Sequence, residues 1–159
     1  MAVVIGTDEA GYGPNLGPLL IAATVWRVPD DQLHCDLFEV LRPTISGDVK
    51  EQAPITIADS KDLYKPRGTL ARLEQGLLSA LRHLGSCPRD WKDIWQTLAP
   101  DCVEQIARQP WHEDYSAPIP ADASEEQLDA CATEWTERLS QANVELLNVR
   151  CRALFPEEF

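Results

Sequence analysis

Four apolar residues, Ala2-Val3-Val4-Ile5, stand together near the start of the chain without alternation. That is the pattern of a strand shielded on both faces, and it predicts a strand over residues 2–7. Turn residues follow, Gly11-Tyr12-Gly13-Pro14-Asn15-Leu16-Gly17-Pro18. A second apolar run, LLIAATVWRV over residues 19–28, predicts a strand returning antiparallel through this broad connection. Residues 33–41 fit a short helix or a strand extension, 44–48 read as a turn, and 55–57 as a short strand. Leu70, Leu73, Leu77, Leu81 and Leu84 recur at spacings of three and four, so a helix is expected over about 68–84. A further helix fits within 89–109, and Pro118-Ile119-Pro120 reads as a loop. Ser124-Glu125-Glu126-Gln127 has the form of a capping box, opening a helix to about residue 140. Residues 143–154 continue a helical period from Trp135 but also alternate at Leu147, Val149, Cys151 and Ala153; the alternation is preferred, giving a strand. Strands with helices between them indicate an α/β domain with few strands to complete its sheet.

The length of 159 residues suits a single domain with a substantial core. No stretch approaches the ~20 apolar residues that span a bilayer. The early Asp8-Glu9 pair, with no basic segment before it, is unlike a secretory leader. Five cysteines, an odd number without a C-x-x-C pair, predict free thiols in a reducing cytoplasm, and the histidines lack zinc-site spacing. The net charge of −12 opposes long-range attraction to polyanions. That objection weakens if carboxylates hold divalent metal or if basic residues cluster locally.

The chemistry concentrates in Thr7-Asp8-Glu9-Ala10-Gly11-Tyr12-Gly13-Pro14. Adjacent carboxylates repel, and successive side chains of a regular strand point to opposite faces. Asp8 and Glu9 share one site only if the strand ends or twists there, which Ala10 and Gly11 permit. They could then hold a hard cation through oxygen ligands. The backbone N–H groups of Gly11, Tyr12 and Gly13 could hold a phosphate or a sugar hydroxyl. The plainer readings are a solvated acidic turn for the carboxylate pair and, for the glycine turn, a tight connection in which glycine only supplies positive φ; each is the stronger one when its feature is read alone.

Two segments together change that balance. Gly6-Thr7-Asp8-Glu9-Ala10-Gly11-Tyr12-Gly13-Pro14-Asn15-Leu16-Gly17-Pro18, followed by the small-residue run Leu20-Ile21-Ala22-Ala23-Thr24-Val25, resembles the opening of ribonuclease HII. Asp59-Ser60-Lys61-Asp62-Leu63 resembles that family's Asp-Ser-Lys motif ahead of a leucine-rich helix. The resemblance covers residues 3–28 and 55–84, and 86–135 reads as an insertion. It implies an RNase H-like mixed sheet of five strands flanked by helices, incomplete here on the C-terminal side. It implies a nuclease, dependent on Mg²⁺ or Mn²⁺, that cuts the RNA strand of RNA–DNA hybrids or cuts at ribonucleotides in DNA. Asp8 and Glu9 match two of the family's four metal-binding carboxylates. Gly11, Tyr12 and Gly13 would contact the substrate around the 2′-hydroxyl, and Ser60 and Lys61 its backbone. In such an enzyme two metals about 4 Å apart activate a water and stabilise the leaving oxygen.

The middle of the glycine turn is Tyr12, where the family has Arg or Lys, so stacking replaces a cation. The third and fourth carboxylates have no counterpart: Asp101, Asp114, Asp122 and Asp129 lack the apolar strand that should precede them. The chain therefore reads as the N-terminal portion of the enzyme, inactive by itself. Alternatives are a non-catalytic module of the same fold that binds nucleic acid or protein, and an interaction domain docking through Trp91, Trp95 and Trp111. For those tryptophans a core role is preferred.

Overall fold

A computed structural model describes residues 1–10, 18–112, 114–155 and 158. Strand β1 (Ala2–Ala10) pairs antiparallel with β2 (Leu19–Val28) in unbroken register, from Ala2 opposite Val28 to Ala10 opposite Leu20. On its other side β2 pairs antiparallel with β5 (Glu145–Leu154), with a bulge at Val25/Trp26 that sets Asn148 opposite Val25 and the buried Leu146 opposite Trp26. The sheet order is β1-β2-β5. A separate parallel pair joins β3 (Ile45–Ser46) to β4 (Ile55–Thr56). The structure is thus mixed α/β, with a small antiparallel sheet and helices.

Both strands predicted at the front form, although β1 runs three residues further than the apolar pattern indicated and is not buried on both faces as that pattern predicts: Val3 and Ile5 are exposed on its outer face. Residues 33–41 resolve in favour of a short helix, α1 (Leu37–Leu41), because the Asp36 side chain caps it by accepting the Phe38 N–H at 2.8 Å. The turn expected over 44–48 is present at Thr44 and as a bend at Gly47, but Ile45–Ser46 between them form strand β3. Ile45 is buried, and the neighbouring backbone of Thr44 and Ser46 accepts N–H bonds from Ile55 and Ile57. A two-residue strand paired in parallel carries no local signal, so its partner decides the matter.

Helix α2 (Ser60–Leu63) is one turn, and α3 (Ala71–His83) carries the leucine stripe. The segment 89–109 divides into α4 (Trp91–Leu98) and α5 (Val103–Ala107), separated by a 3-10 turn at Pro100–Cys102. Helix α6 (Glu125–Ala142) begins where the capping motif predicts, with Ser124 Oγ accepting the Gln127 N–H at 3.2 Å. It ends at Asn143, which adopts left-handed geometry at φ 54° and releases the chain into β5. The strand reading of residues 143–154 therefore holds. The first half of α6 lies within the stretch read as an insertion, yet Leu128, Cys131 and Trp135 on it are core residues.

Helices α3 and α6 pack on one another and on one face of the sheet. Ala2, Val4, Trp26, Val28, Leu146 and Val149 point to that inner face and join the core. Trp135 is the key contact: its ring centroid lies 6.1 Å from that of Trp26, and its Nε1–H donates to Ser79 Oγ at 2.9 Å. Sheet, α6 and α3 meet at this point. A second tie joins the start of α3 to the loop before α6. The Glu74 carboxylate accepts the N–H groups of Ala121, Asp122 and Ala123, while Asp122 accepts the Leu70 N–H.

Trp91 and Trp95 are half-buried and edge-packed at 5.7 Å, and Trp91 also meets His112 and Tyr115, so these rings hold α4 to the 110–115 turn. The Trp111 side chain lies outside the described residues. Among the described residues no helix is long and apolar enough to cross a membrane.

Ser79 and Trp135 are both fully buried. Ser79→Ala strands the indole N–H and should cost about 1–3 kcal/mol in denaturant unfolding, whereas Trp135→Phe in the same background should recover part of that loss. A second expectation concerns pH. His83 on α3, with Nδ1 2.9 Å from Thr136 Oγ1, has its pKa lowered from 6.5 by burial. A depressed imidazole pKa means that the unfolded chain binds the proton more readily. His83's contribution is therefore fully present above about pH 6.5 and is lost as pH falls through the folded pKa. Urea midpoints across pH 5–8 should fall less steeply toward acid for His83→Gln than for the parent chain.

Candidate nucleic-acid interface

The acidic pair lies on a strand that does not end at it. Asp8 opposes Ala22 and Glu9 opposes Ile21, and the register continues to Ala10. The expected strand end or twist at Asp8-Glu9 is absent, and regular pleating sends the two side chains to opposite faces. Asp8 shares the inner side with Ala2 and Val4, whereas Glu9 shares the outer side with Val3 and Ile5. Both carboxylates are exposed, and Asp8 Oδ1 accepts the Glu9 backbone N–H at 2.9 Å. Gly11, Tyr12 and Gly13 lie outside the described residues.

The Asp-Ser-Lys segment is built by a different device. The β3–β4 pairing, extended by Ile57 N–H donating to Ser46 O at 2.9 Å, leads the chain to Asp59. Asp59 caps α2: its Oδ1 accepts the Lys61 N–H at 2.8 Å, and its carbonyl accepts from Asp62 and Leu63. One turn is too short to be stable by itself, so this cap sets where Ser60 and Lys61 project. Both are exposed.

The two segments share the inner side of the sheet. Gly6, two residues before Asp8 on the same face, opposes Thr24. Thr24 lines a pocket together with Ile57, Ala58 and Leu63, which flank the Asp59–Lys61 segment. Asp8 lies two residues beyond Gly6 on this face and does not line the pocket, nor do Ser60 and Lys61, while Glu9 is directed to the other face.

Lys61 belongs to the Asp-Ser-Lys motif, whereas Lys65, Arg67 and Arg72 were not picked out by it. Lys61, Lys65, Arg67 and Arg72 are all exposed, with Asp62 and Glu74 the acidic residues among them. Arg27, Arg42, Arg82, Arg108 and Arg152 each pair with a carboxylate. Among the described residues Lys61, Lys65, Arg67 and Arg72 take no ion pair, so their charge faces solvent. Lys65-Pro66-Arg67-Gly68 forms a turn closed by Gly68 N–H on Lys65 O at 2.7 Å, with Arg67 at φ 70°. Proline at the second position and positive φ at the third define a type II turn, where glycine or asparagine is the favoured third residue. An arginine is held there at some conformational cost. The signal available in the sequence was local charge density, which the whole-chain total of −12 conceals.

Among the described residues no group of three or more His, Cys, Asp or Glu side chains is placed to hold a metal ion. With Asp8 and Glu9 on opposite faces, the described residues supply a single inward carboxylate and do not by themselves fit a divalent-metal centre. No family model, curated protein or solved structure matches the chain.

Asp59→Ala should destabilise the protein by about 1 kcal/mol, with the loss local to α2. Amide exchange at Lys61, Asp62 and Leu63 should accelerate, while exchange in β2 stays unchanged. Equal acceleration in β2 would show that the cap supports the whole fold and not this turn alone.

Proposed function

We propose that this chain is the N-terminal part of a ribonuclease HII-like, divalent-metal-dependent nuclease with an RNase H-like fold, acting on RNA–DNA hybrids or at ribonucleotides in DNA. The observation that carries the reading is the unpaired, exposed cationic turn. Ser60, Lys61, Lys65 and Arg67 follow directly on the Asp59 cap and are all exposed. Phosphates are bound by cations not already neutralised by protein carboxylates, and these residues meet that condition in an otherwise acidic chain. Ser60 and Lys61 contact the substrate backbone. Gly11, Tyr12 and Gly13 contact the region of the 2′-hydroxyl, the group that distinguishes RNA from DNA. Asp8 and Glu9 contribute two metal-binding carboxylates to a centre that needs further ligands and a local rearrangement of β1. Mg²⁺ or Mn²⁺, when bound, supplies Lewis acidity toward the scissile phosphate.

The orientation of Asp8 and Glu9 to opposite faces favours a second reading, a module of the same fold that binds hybrid without cutting it. The two readings share the cationic turn and differ in turnover.

Binding to a fluorescein-labelled RNA–DNA hybrid should weaken with salt, and Lys61→Ala should reduce the log–log salt slope by about 1. Arg67→Gly should weaken binding while thermal stability is retained, because glycine accepts the positive φ. Hybrid affinity unchanged in a Lys61→Glu, Arg67→Glu double variant would remove the interface. In the longest reading frame containing these residues, Asp8→Asn should abolish Mn²⁺-dependent cleavage while leaving hybrid affinity within about twofold. Binding without any cleavage in that protein selects the second reading.

A further inference from the structure

Above the inner face of the sheet lies a cavity of about 240 Å³. Its walls include Trp26 on β2, Leu146 and Val149 on β5, Trp135 on α6, Leu73 and Leu77 on α3, and Leu63 on α2. The polar atoms of these walls are already engaged. Trp26 Nε1–H donates to Thr24 Oγ1 and Trp135 Nε1–H to Ser79 Oγ, each at 2.9 Å. The indoles therefore present carbon surface to the cavity.

Water is a poor occupant. The volume corresponds to about eight waters at ~30 Å³ each, and a held water needs two to four polar partners. The walls do not offer them. Displacing poorly held water by carbon is favourable.

One charge belongs to the site. Arg72 on α3 lines the cavity yet is exposed, so its guanidinium stands at the rim. It donates to Thr56 Oγ1 at 3.4 Å, a long bond to a neutral acceptor, and among the described residues it takes no ion pair. An apolar chamber with one uncompensated cation at its mouth complements a ligand with an apolar body and one anionic end. Filled at the ~0.74 density of protein interiors, the cavity takes a body on the order of ten non-hydrogen atoms.

We propose that this cavity binds a small apolar monocarboxylate, an alkyl or aryl chain of that size, with the carboxylate on Arg72 and the chain between Trp26, Trp135 and Leu77. The proposal does not rest on the nuclease reading, since it needs neither Asp8 nor Lys61, Lys65 and Arg67, although Arg72 and the Ile57–Leu63 segment adjoin that candidate interface.

Octanoate is the probe, with 1-octanol as its neutral counterpart. Each is titrated into the protein while methyl resonances of Ile57, Leu63, Leu73 and Leu77 and the Trp26 indole resonance are followed by NMR. The expected result is saturable 1:1 binding with shifts confined to those residues, and octanoate tighter than octanol by about tenfold. Arg72→Gln, an exposed substitution, should erase that preference and leave octanol affinity unchanged. Leu73→Trp should fill the chamber and block both. The proposal is overturned if neither compound saturates, if the two bind equally, or if Arg72→Gln leaves octanoate affinity intact. Any of these would fit a chamber that receives an apolar side chain from another polypeptide segment.

Discussion

The packing of Trp135 fixes the relation between the sheet and its helices. Its ring lies against Trp26 on the central strand, and its only polar atom bonds to Ser79 on α3. A buried indole offers a large apolar surface but needs one acceptor, and Ser79 supplies it from a position that is itself fully buried. Because one side chain touches β2 and α3 at once, a shift in either would cost area or leave a donor unpaired. The Ile57–Leu63 segment is registered against this assembly through β3 and β4, and so is the direction in which Ser60 and Lys61 project. The geometry of the candidate interface is thus tied to a core contact that borders the same cavity as Ile57 and Leu63.

The first strand carries a conflict between pattern and placement. Its apolar run has the composition of a strand shielded on both sides, yet Val3 is 59% and Ile5 62% exposed on the outer face. Among the described residues nothing pairs with the far edge of β1. A flat apolar edge is a liability that folded proteins ordinarily cover or charge.

Much of this was legible because local chemistry and tertiary demand agreed. The bounds of β2 match the apolar run residue for residue, with Pro18 and Pro29 just outside its ends. Ser124 and Asn143 bracket α6 with the residues such ends prefer. Where local signals were balanced, long-range pairing decided: residues 145–154 become strand because β2 has a free edge to offer. Pairing also carried β1 through Asp8 and Glu9, residues of low strand propensity, because Leu20, Ile21 and Ala22 opposite them are already held in strand by β5 on their other side. That is why the motif could be seen in the sequence while the orientation of its two carboxylates could not. The cationic turn was missed for another reason: it depends on which basic residues lack partners, and partners such as Glu125 and Asp129 for Arg82 lie more than forty positions away.

The acidic total and the cationic turn are compatible because they act over different distances. At physiological ionic strength the Debye length is about 8 Å, so exposed carboxylates beyond that range hardly affect a phosphate seated against Lys61. The net charge of −12 acts instead on approach, slowing the encounter of chain and polyanion without setting the strength of the contact once made. The pairing pattern sharpens the separation. Glu39, Glu51, Glu104, Glu125, Asp129, Glu145 and Glu158 are engaged with arginines elsewhere, which neutralises those arginines and leaves the turn as a place where positive charge is uncompensated. An acidic protein built in this way is selective by geometry: a polyanion finds few footholds on it, and the one after Asp59 is held in place by a helix cap and a strained arginine turn.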